Sequence, residues 1–177
     1  MARQREALRD FQARLSERLR QAQTTGLNAS WLAVKAADAN YLIPLAHAGE
    51  IFPYTAPQPV PYTQPWFLGV ANLRGGVFGV IDLSGFVAPG MASEGGDKSI
   101  SAARLLALNE ALEVNCALQI DRLIGLRSVD AFAKSKAPDV DAPAWFGHAY
   151  TDAEGGHWQE LNLQALSQQA QFLAIGD

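Results

Sequence analysis

The fold of this chain is decided by the stretch GVANLRGGVFGVIDL, which occupies residues 69–83. Two apolar runs, 70–73 and 77–83, flank the tripeptide Arg74-Gly75-Gly76. Glycine adopts the positive φ values that tight turns require, so two apolar runs around a glycine pair predict a β-hairpin. The arginine is placed at the tip of that hairpin, where its planar guanidinium can contact a carboxylate through two hydrogen bonds.

Short strand-like runs continue on both sides of the hairpin. The further predicted strands are 30–35 and 40–45, which predict a second hairpin, 104–108, 112–120, and 144–150 and 157–163, which predict a third hairpin. In the run 112–120 apolar residues occupy every second position, which is typical of a strand with one buried face and places Cys116 in the core. Five prolines between Phe52 and Trp66 predict an extended surface connection. Residues 88–101 are rich in glycine and serine and predict a loop.

Helices are predicted only near the two ends of the chain. Residues 2–23 lack glycine and proline, and their apolar side chains recur at steps of three and four, as in an amphipathic helix. This helix could pack on its own domain, dock on a partner helix or lie on an anionic membrane surface. A short closing helix is predicted between Asn162 and Ile175. We therefore expect a helical extension at 1–27, a β domain of two lobes at 28–170 and a C-terminal tail at 171–177.

Composition and charge narrow the functional class. The single cysteine excludes an intramolecular disulfide, and no apolar run has the length of a signal peptide or membrane span, so a cytoplasmic protein without membrane insertion is expected. Residues 1–21 carry six arginines and three acids, which leaves a net charge of −7 on the remainder. Because nucleic-acid binding depends on neutralising phosphates, no nucleic-acid partner is expected.

No catalytic, cofactor-binding or metal-binding residues are predicted. The sequence has neither a phosphate-binding GxxxxGK[ST] loop nor a GxSxG nucleophile motif, and its three histidines are not spaced as metal ligands. Cys116 lies on the apolar side of its predicted strand, where a thiol packs as a small hydrophobe. A non-enzymatic binding protein is therefore expected. The alternative is a small ligand-binding or enzymatic β-barrel that uses a cleft between the lobes.

Arg74 has one specific predicted partner. Glu50, in the apolar context Ala48-Gly49-Glu50-Ile51-Phe52, is the nearest upstream acid flanked by such structure. We predict that Glu50 and Arg74 face each other across adjacent strands, with their charged groups within about 6 Å, the reach of a strong charge pair. The alternative is an arginine that is solvated at the hairpin tip.

Residues 69–83 resemble the signature of the CheW-like domain, the module that couples receptors to a kinase in bacterial chemosensory systems. The family pattern is a GV-x-NLRG run followed by an apolar strand that ends in Asp-Leu. Upstream, the segments 31–34, 41–45 and 50–51 resemble the opening strands of the family, and 114–126 resembles a strand of its second lobe. The resemblance covers about residues 30–166. Ala48, Gly79 and Ser84 depart from the pattern.

The resemblance implies a mainly β fold of two intertwined five-stranded SH3-like barrels without catalysis. It implies two partners, a CheA-type histidine kinase and the cytoplasmic tip of a methyl-accepting chemoreceptor. The long segment before Gln23 is similar to the PilI type of the family, from the twitching-motility pathway of type IV pili. A cytoplasmic location at the inner face of the membrane, through receptor arrays, would follow. The partner-binding residues implied are Glu50, Gly69, Asn72, Leu73, Arg74 and Gly75.

Overall fold

The computed structural model describes residues 30–89 and 101–176, and these residues form eleven strands in two sheets. The strands are β1 (Trp31–Ala36), β2 (Ala39–Pro44), β3 (Ala48–Pro53), β4 (Phe67–Leu73), β5 (Gly76–Asp82), β6 (Arg104–Leu108), β7 (Cys116–Ile120), β8 (Arg122–Arg127), β9 (Phe132–Lys136), β10 (Phe146–Asp152) and β11 (His157–Leu161). The mainly β prediction is confirmed. The helix predicted within 1–27 and most of the loop predicted at 88–101 lie outside the described residues.

One sheet is inserted into the chain between two parts of the other. The six-stranded sheet has the order β8-β1-β2-β11-β10-β9, and the five-stranded sheet has the order β3-β6-β7-β5-β4. Along the chain, β1 and β2 belong to the six-stranded sheet, β3 to β7 form the whole five-stranded sheet, and β8 to β11 complete the six-stranded sheet. The first sheet has six strands because β8 and β9 pair at its two edges. Closure of either sheet into an SH3-like barrel stays a prediction.

The three predicted hairpins are present. β1 pairs with β2, β4 with β5 and β10 with β11, all antiparallel. Two parallel pairings, β2 with β11 and β5 with β7, join segments that are distant in sequence. Local turns thus define the hairpins, and long-range parallel contacts assemble them into sheets.

The predicted strand 112–120 is shorter than its pattern suggests. Only Cys116–Ile120 is extended, and Glu110–Leu112 forms a 3₁₀ turn. The Asn109 side chain accepts a hydrogen bond from the Ala111 N–H at 2.9 Å, and Glu113 has a left-handed φ of 56°. The capped turn and this left-handed residue interrupt the extended backbone. The buried position predicted for Cys116 is confirmed.

The predicted closing helix is broken into two short helices. Of the helices in the described residues, α1 (Leu83–Val87) follows β5, whereas α2 (Leu163–Ser167) and α3 (Ala170–Leu173) follow β11. Gln169 has an extended backbone, with ψ at 129°, which separates α2 from α3. The break lets Phe172 enter an aromatic cluster, where it stacks on Trp66 with ring centroids 6.2 Å apart. No helix of the described residues is long and apolar enough to cross a membrane.

The two sheets share one hydrophobic core. Side chains of the six-stranded sheet such as Val34 and Ile43 belong to the same buried cluster as Leu106 and Leu118 of the five-stranded sheet. The cluster therefore holds the inserted sheet against its host, since burial of apolar area contributes roughly 25 cal/mol per Å².

The proline-rich connection runs along the edge of the five-stranded sheet. Gln58 exchanges two backbone hydrogen bonds with Val70 of β4, at 2.7 and 2.9 Å. Most residues between 55 and 65 are exposed, as predicted for a surface connection. We call residues 55–65 the proline strap.

Candidate partner-binding surface

The tip of the β4–β5 hairpin holds Arg74 in a tight two-residue turn. Leu73 and Gly76 are paired at the strand ends, and Arg74 and Gly75 between them have φ values of 50° and 83°. Positive φ at both central residues is the mark of a type I′ turn, whose twist matches that of the flanking strands. The Asn72 side chain accepts a hydrogen bond from the Gly75 N–H at 3.0 Å. The Asn72 side chain thus stabilises the turn, and the Arg74 side chain is 75% exposed.

Arg74 forms an ion pair with Glu50, as predicted. Nη2 of Arg74 lies 2.5 Å from Oε1 of Glu50, whose side chain is 40% exposed. The Arg74 guanidinium carbon also lies 5.9 Å from the centre of the Phe52 ring, within the range of a cation–π contact. The guanidinium is therefore positioned by a carboxylate and an aromatic ring of β3.

The prediction that Glu50 and Arg74 lie on adjacent strands is wrong. β3 and β4 stand at opposite ends of the strand order in their sheet, and Arg74 lies in the turn after β4. The ion pair and a contact between the Phe52 and Phe78 rings, 6.3 Å apart, show that the sheet curves until its β3 end meets the β4–β5 hairpin. Curvature of this kind comes from the right-handed twist of β-strands.

The remaining predicted site residues divide into surface and supporting positions. Asn72 and Gly75 lie at the exposed tip beside Arg74. Leu73 is 4% exposed and packs with Val80, so it supports the hairpin from below. Gly69 is also buried, beneath the proline strap. The structure therefore brings four of the six predicted residues to the surface, including Glu50 and Arg74.

Next to the ion pair lies an open groove that sequence reasoning missed. It has a volume of about 590 Å³ and includes Glu50 and Phe52 in its wall. The lining is completed by Gly49, Phe78, Ala107, Leu108, Asn109, Glu110, Glu113, Val114 and Asn115. The 3₁₀ turn that follows β6 brings Glu110 and Glu113 to its rim. The sequence signal for that turn is Asn109, a residue type that favours helix caps. We call this feature the β3–β6 groove.

Cys116 lies close in the fold but is not a reactive group. Its side chain is buried, and burial raises the pKa of the thiol to about 12 because the thiolate loses its hydration. Burial likewise lowers the pKa of His47, only in part opposed by the charge of Glu160. In the described ranges, no cluster of three or more His, Cys, Asp and Glu side chains could hold a metal ion.

The two sheets with their common core form a mainly β domain that carries a charged hairpin tip beside an open groove. The sequence profile of the CheW-like domain matches residues 30–171, and the chain belongs to that family.

Individual relatives agree with this assignment. The chain is 26% identical over 137 residues to Protein PilI of Pseudomonas aeruginosa, an alignment that covers 76% of this chain and 73% of that protein. The prediction of a PilI-type member of the family is confirmed by this similarity. Among solved structures, the fold is similar to that of the scaffolding protein TtCheW from Thermoanaerobacter tengcongensis. That match has a TM-score of 0.59 and 15% identity, and it covers 76% of this chain and 88% of the other.

Proposed function

We propose that this protein is a non-catalytic adaptor that couples a chemoreceptor-type sensor to a CheA-type histidine kinase. Membership of the CheW-like family supports this role. The observation that carries the proposal is the Arg74–Glu50 ion pair on the exposed hairpin tip. An exposed charge pair adds little to folding stability, so a geometry this well defined is better explained by recognition.

The hairpin tip would contact the receptor. Arg74 presents a guanidinium whose position is set by Glu50 and Phe52, which lowers the entropy lost on binding. Asn72 and Gly75 maintain the turn, and Leu73 and Gly69 maintain the hairpin beneath it. Signal would pass by a shift in the conformational populations of the kinase, with no chemistry in this chain.

The pathway proposed is the one that controls twitching motility through type IV pili. The similarity to Protein PilI over 76% of the chain supports this choice. The protein would then act in the cytoplasm, at the inner face of the membrane, by joining receptor arrays.

The alternative of a ligand-binding or enzymatic barrel finds less support. That function needs a cleft between the two lobes, with convergent polar groups. The grooves of about 590 and 720 Å³ are each lined by residues of one sheet and its connections only. A buried Cys116 with a raised pKa also supplies no nucleophile.

The test compares partner binding by two arginine variants. The receptor cytoplasmic fragment and the kinase of the same organism are immobilised in turn, and binding is measured by interferometry. Arg74→Ala should weaken receptor binding at least tenfold, whereas Arg122→Ala, an exposed arginine of β8, should bind like the wild type. Full binding of both partners by Arg74→Ala would show that the hairpin tip is not the coupling surface.

A further inference from the structure

The lining of the β3–β6 groove combines apolar and acidic side chains. Phe52, Phe78 and Val114 are half-buried in this lining. Glu50, Glu110 and Glu113 are exposed along its wall, and of these only Glu50 forms a salt bridge among the described residues. An open surface of this composition fits an amphipathic helix with basic flanks, a common way of recognising peptides.

The described chain begins close to this groove. The Ser30 carbonyl accepts a hydrogen bond from the Leu45 N–H at 3.1 Å, and two residues later the His47 carbonyl accepts one from the Asn109 N–H at 3.0 Å. Asn109 lines the groove. Ser30 and Asn109 are therefore separated by two strand spacings of about 5 Å and two extended residues of about 3.5 Å each. These lengths put Ser30 within roughly 20 Å of the groove.

The chain that precedes Ser30 has the matching chemistry. Its sequence predicts a helix with the apolar stripe Leu8, Phe11, Leu15 and Leu19. Residues 1–21 have a net charge of +3, whereas residues 22–177 have a net charge of −7. A helix of 20 residues is about 30 Å long, enough to cover the groove from a short connection.

We propose that residues 1–29 dock in the β3–β6 groove of the same molecule. The apolar stripe covers Phe52, Phe78 and Val114, and arginines face Glu110 and Glu113. The docking does not rest on the proposed coupling function.

Trypsin cleavage of the full-length protein tests the docking. The rate of cutting after the arginines at positions 3–20 is followed by mass spectrometry, at low ionic strength and without any partner. Glu110→Gln/Glu113→Gln should speed this cutting at least tenfold, because it removes the charges on the rim. The control is Asp130→Asn/Asp141→Asn, which changes two exposed acids outside the groove. Trypsin should cut this control at the same rate as the wild type.

A second variant examines the docking from the other side. Arg14→Gln/Arg18→Gln should speed cutting at the remaining N-terminal arginines without altering the groove. The proposal would be overturned if the wild type, Glu110→Gln/Glu113→Gln and Arg14→Gln/Arg18→Gln were all cut at equal rates. So would faster cutting in the aspartate control, or protection that increases with protein concentration as a dimer forms, since the groove would then hold a second copy. No partner is present in this assay, so its failure is separate from any failure of receptor or kinase binding.

Discussion

Gly69 and Gln58 approach so closely that the Gln58 carbonyl occupies the space where a Cβ at Gly69 would stand. Gly69 also has a φ of 131°, which side-chain-bearing residues rarely adopt. Gly69→Ala should therefore lower the free energy of unfolding in urea by about 3 kcal/mol, from backbone strain and displacement of the proline strap together.

The matched control for this substitution is Gly125→Ala. Gly125 has a similar φ of 139°, but no atom lies within 4 Å of its ideal Cβ. Gly125→Ala should lower the free energy of unfolding by only about 1–2 kcal/mol, from backbone strain alone. Equal losses at the two glycines would show that the strap is not fixed against β4.

The Arg74–Glu50 pair should contribute little to folding. With side chains 75% and 40% exposed, the pair is screened by water, and a double-mutant cycle should give a coupling free energy of about 0.5 kcal/mol. Arg74→Ala and Glu50→Gln, singly and together, are measured by urea unfolding. A coupling above about 2 kcal/mol would mark the pair as a folding element, which surface pairs rarely are.

Cys116 should make stability depend on pH in the alkaline range. Burial raises the pKa of its thiol to about 12 in the folded protein. Between the ordinary value near 9.0 and about 12, only the unfolded chain loses the proton, so the free energy of unfolding falls as the pH rises. Below pH of about 8 the thiol contributes no pH dependence.

Urea unfolding between pH 7 and pH 10 of the wild type and of Cys116→Ala checks this prediction. The wild type should lose more stability than the variant above pH of about 9. A native-state thiol that reacts with iodoacetamide at pH 8 as fast as the unfolded chain would contradict the buried position.

Phe172 and Leu173 are neighbours in α3 with opposite environments. Phe172 is 2% exposed and contacts both Trp66 and Phe86, whereas Leu173 is 54% exposed. Phe172→Ala should cost about 3–4 kcal/mol in thermal or urea unfolding, from lost burial and the cavity left in the aromatic cluster. Leu173→Ala should change stability by less than about 0.5 kcal/mol. A reversed order would place the wrong face of α3 on the core.

Features set by local sequence could be predicted, and those set by distant packing could not. Arg74-Gly75-Gly76 specifies its hairpin because glycine conformation and apolar flanks act within a few residues. The alternation through Cys116 likewise identified a buried position. The Glu50–Arg74 contact was predicted correctly, but the curvature that produces it depends on strands that are not neighbours, so adjacent pairing was the wrong explanation.

The predictions of the closing helix and of the strand at 112–120 were both wrong in extent, because packing and capping interrupt a regular sequence pattern. The interval between Asn162 and Ile175 has helical spacing throughout, yet the aromatic cluster around Phe172 is better filled by a helix that breaks at Gln169. The strand predicted from residue 112 begins only at Cys116, because the Asn109 cap and the left-handed Glu113 redirect the chain. The β3–β6 groove escaped prediction because its walls come from three separate segments.

The insertion of one sheet between β2 and β8 also sets an order of events during synthesis. β1 leaves the ribosome about ninety residues before its edge partner β8, and β2 waits longer still for β11. The inserted strands, in contrast, have all their sheet partners once Ile120 has been made. A nascent chain should therefore complete its second sheet first, while the first hairpin exposes unpaired edges. Unpaired edges can pair with strands of other chains and cause aggregation, so we expect a chaperone to act mainly on this hairpin.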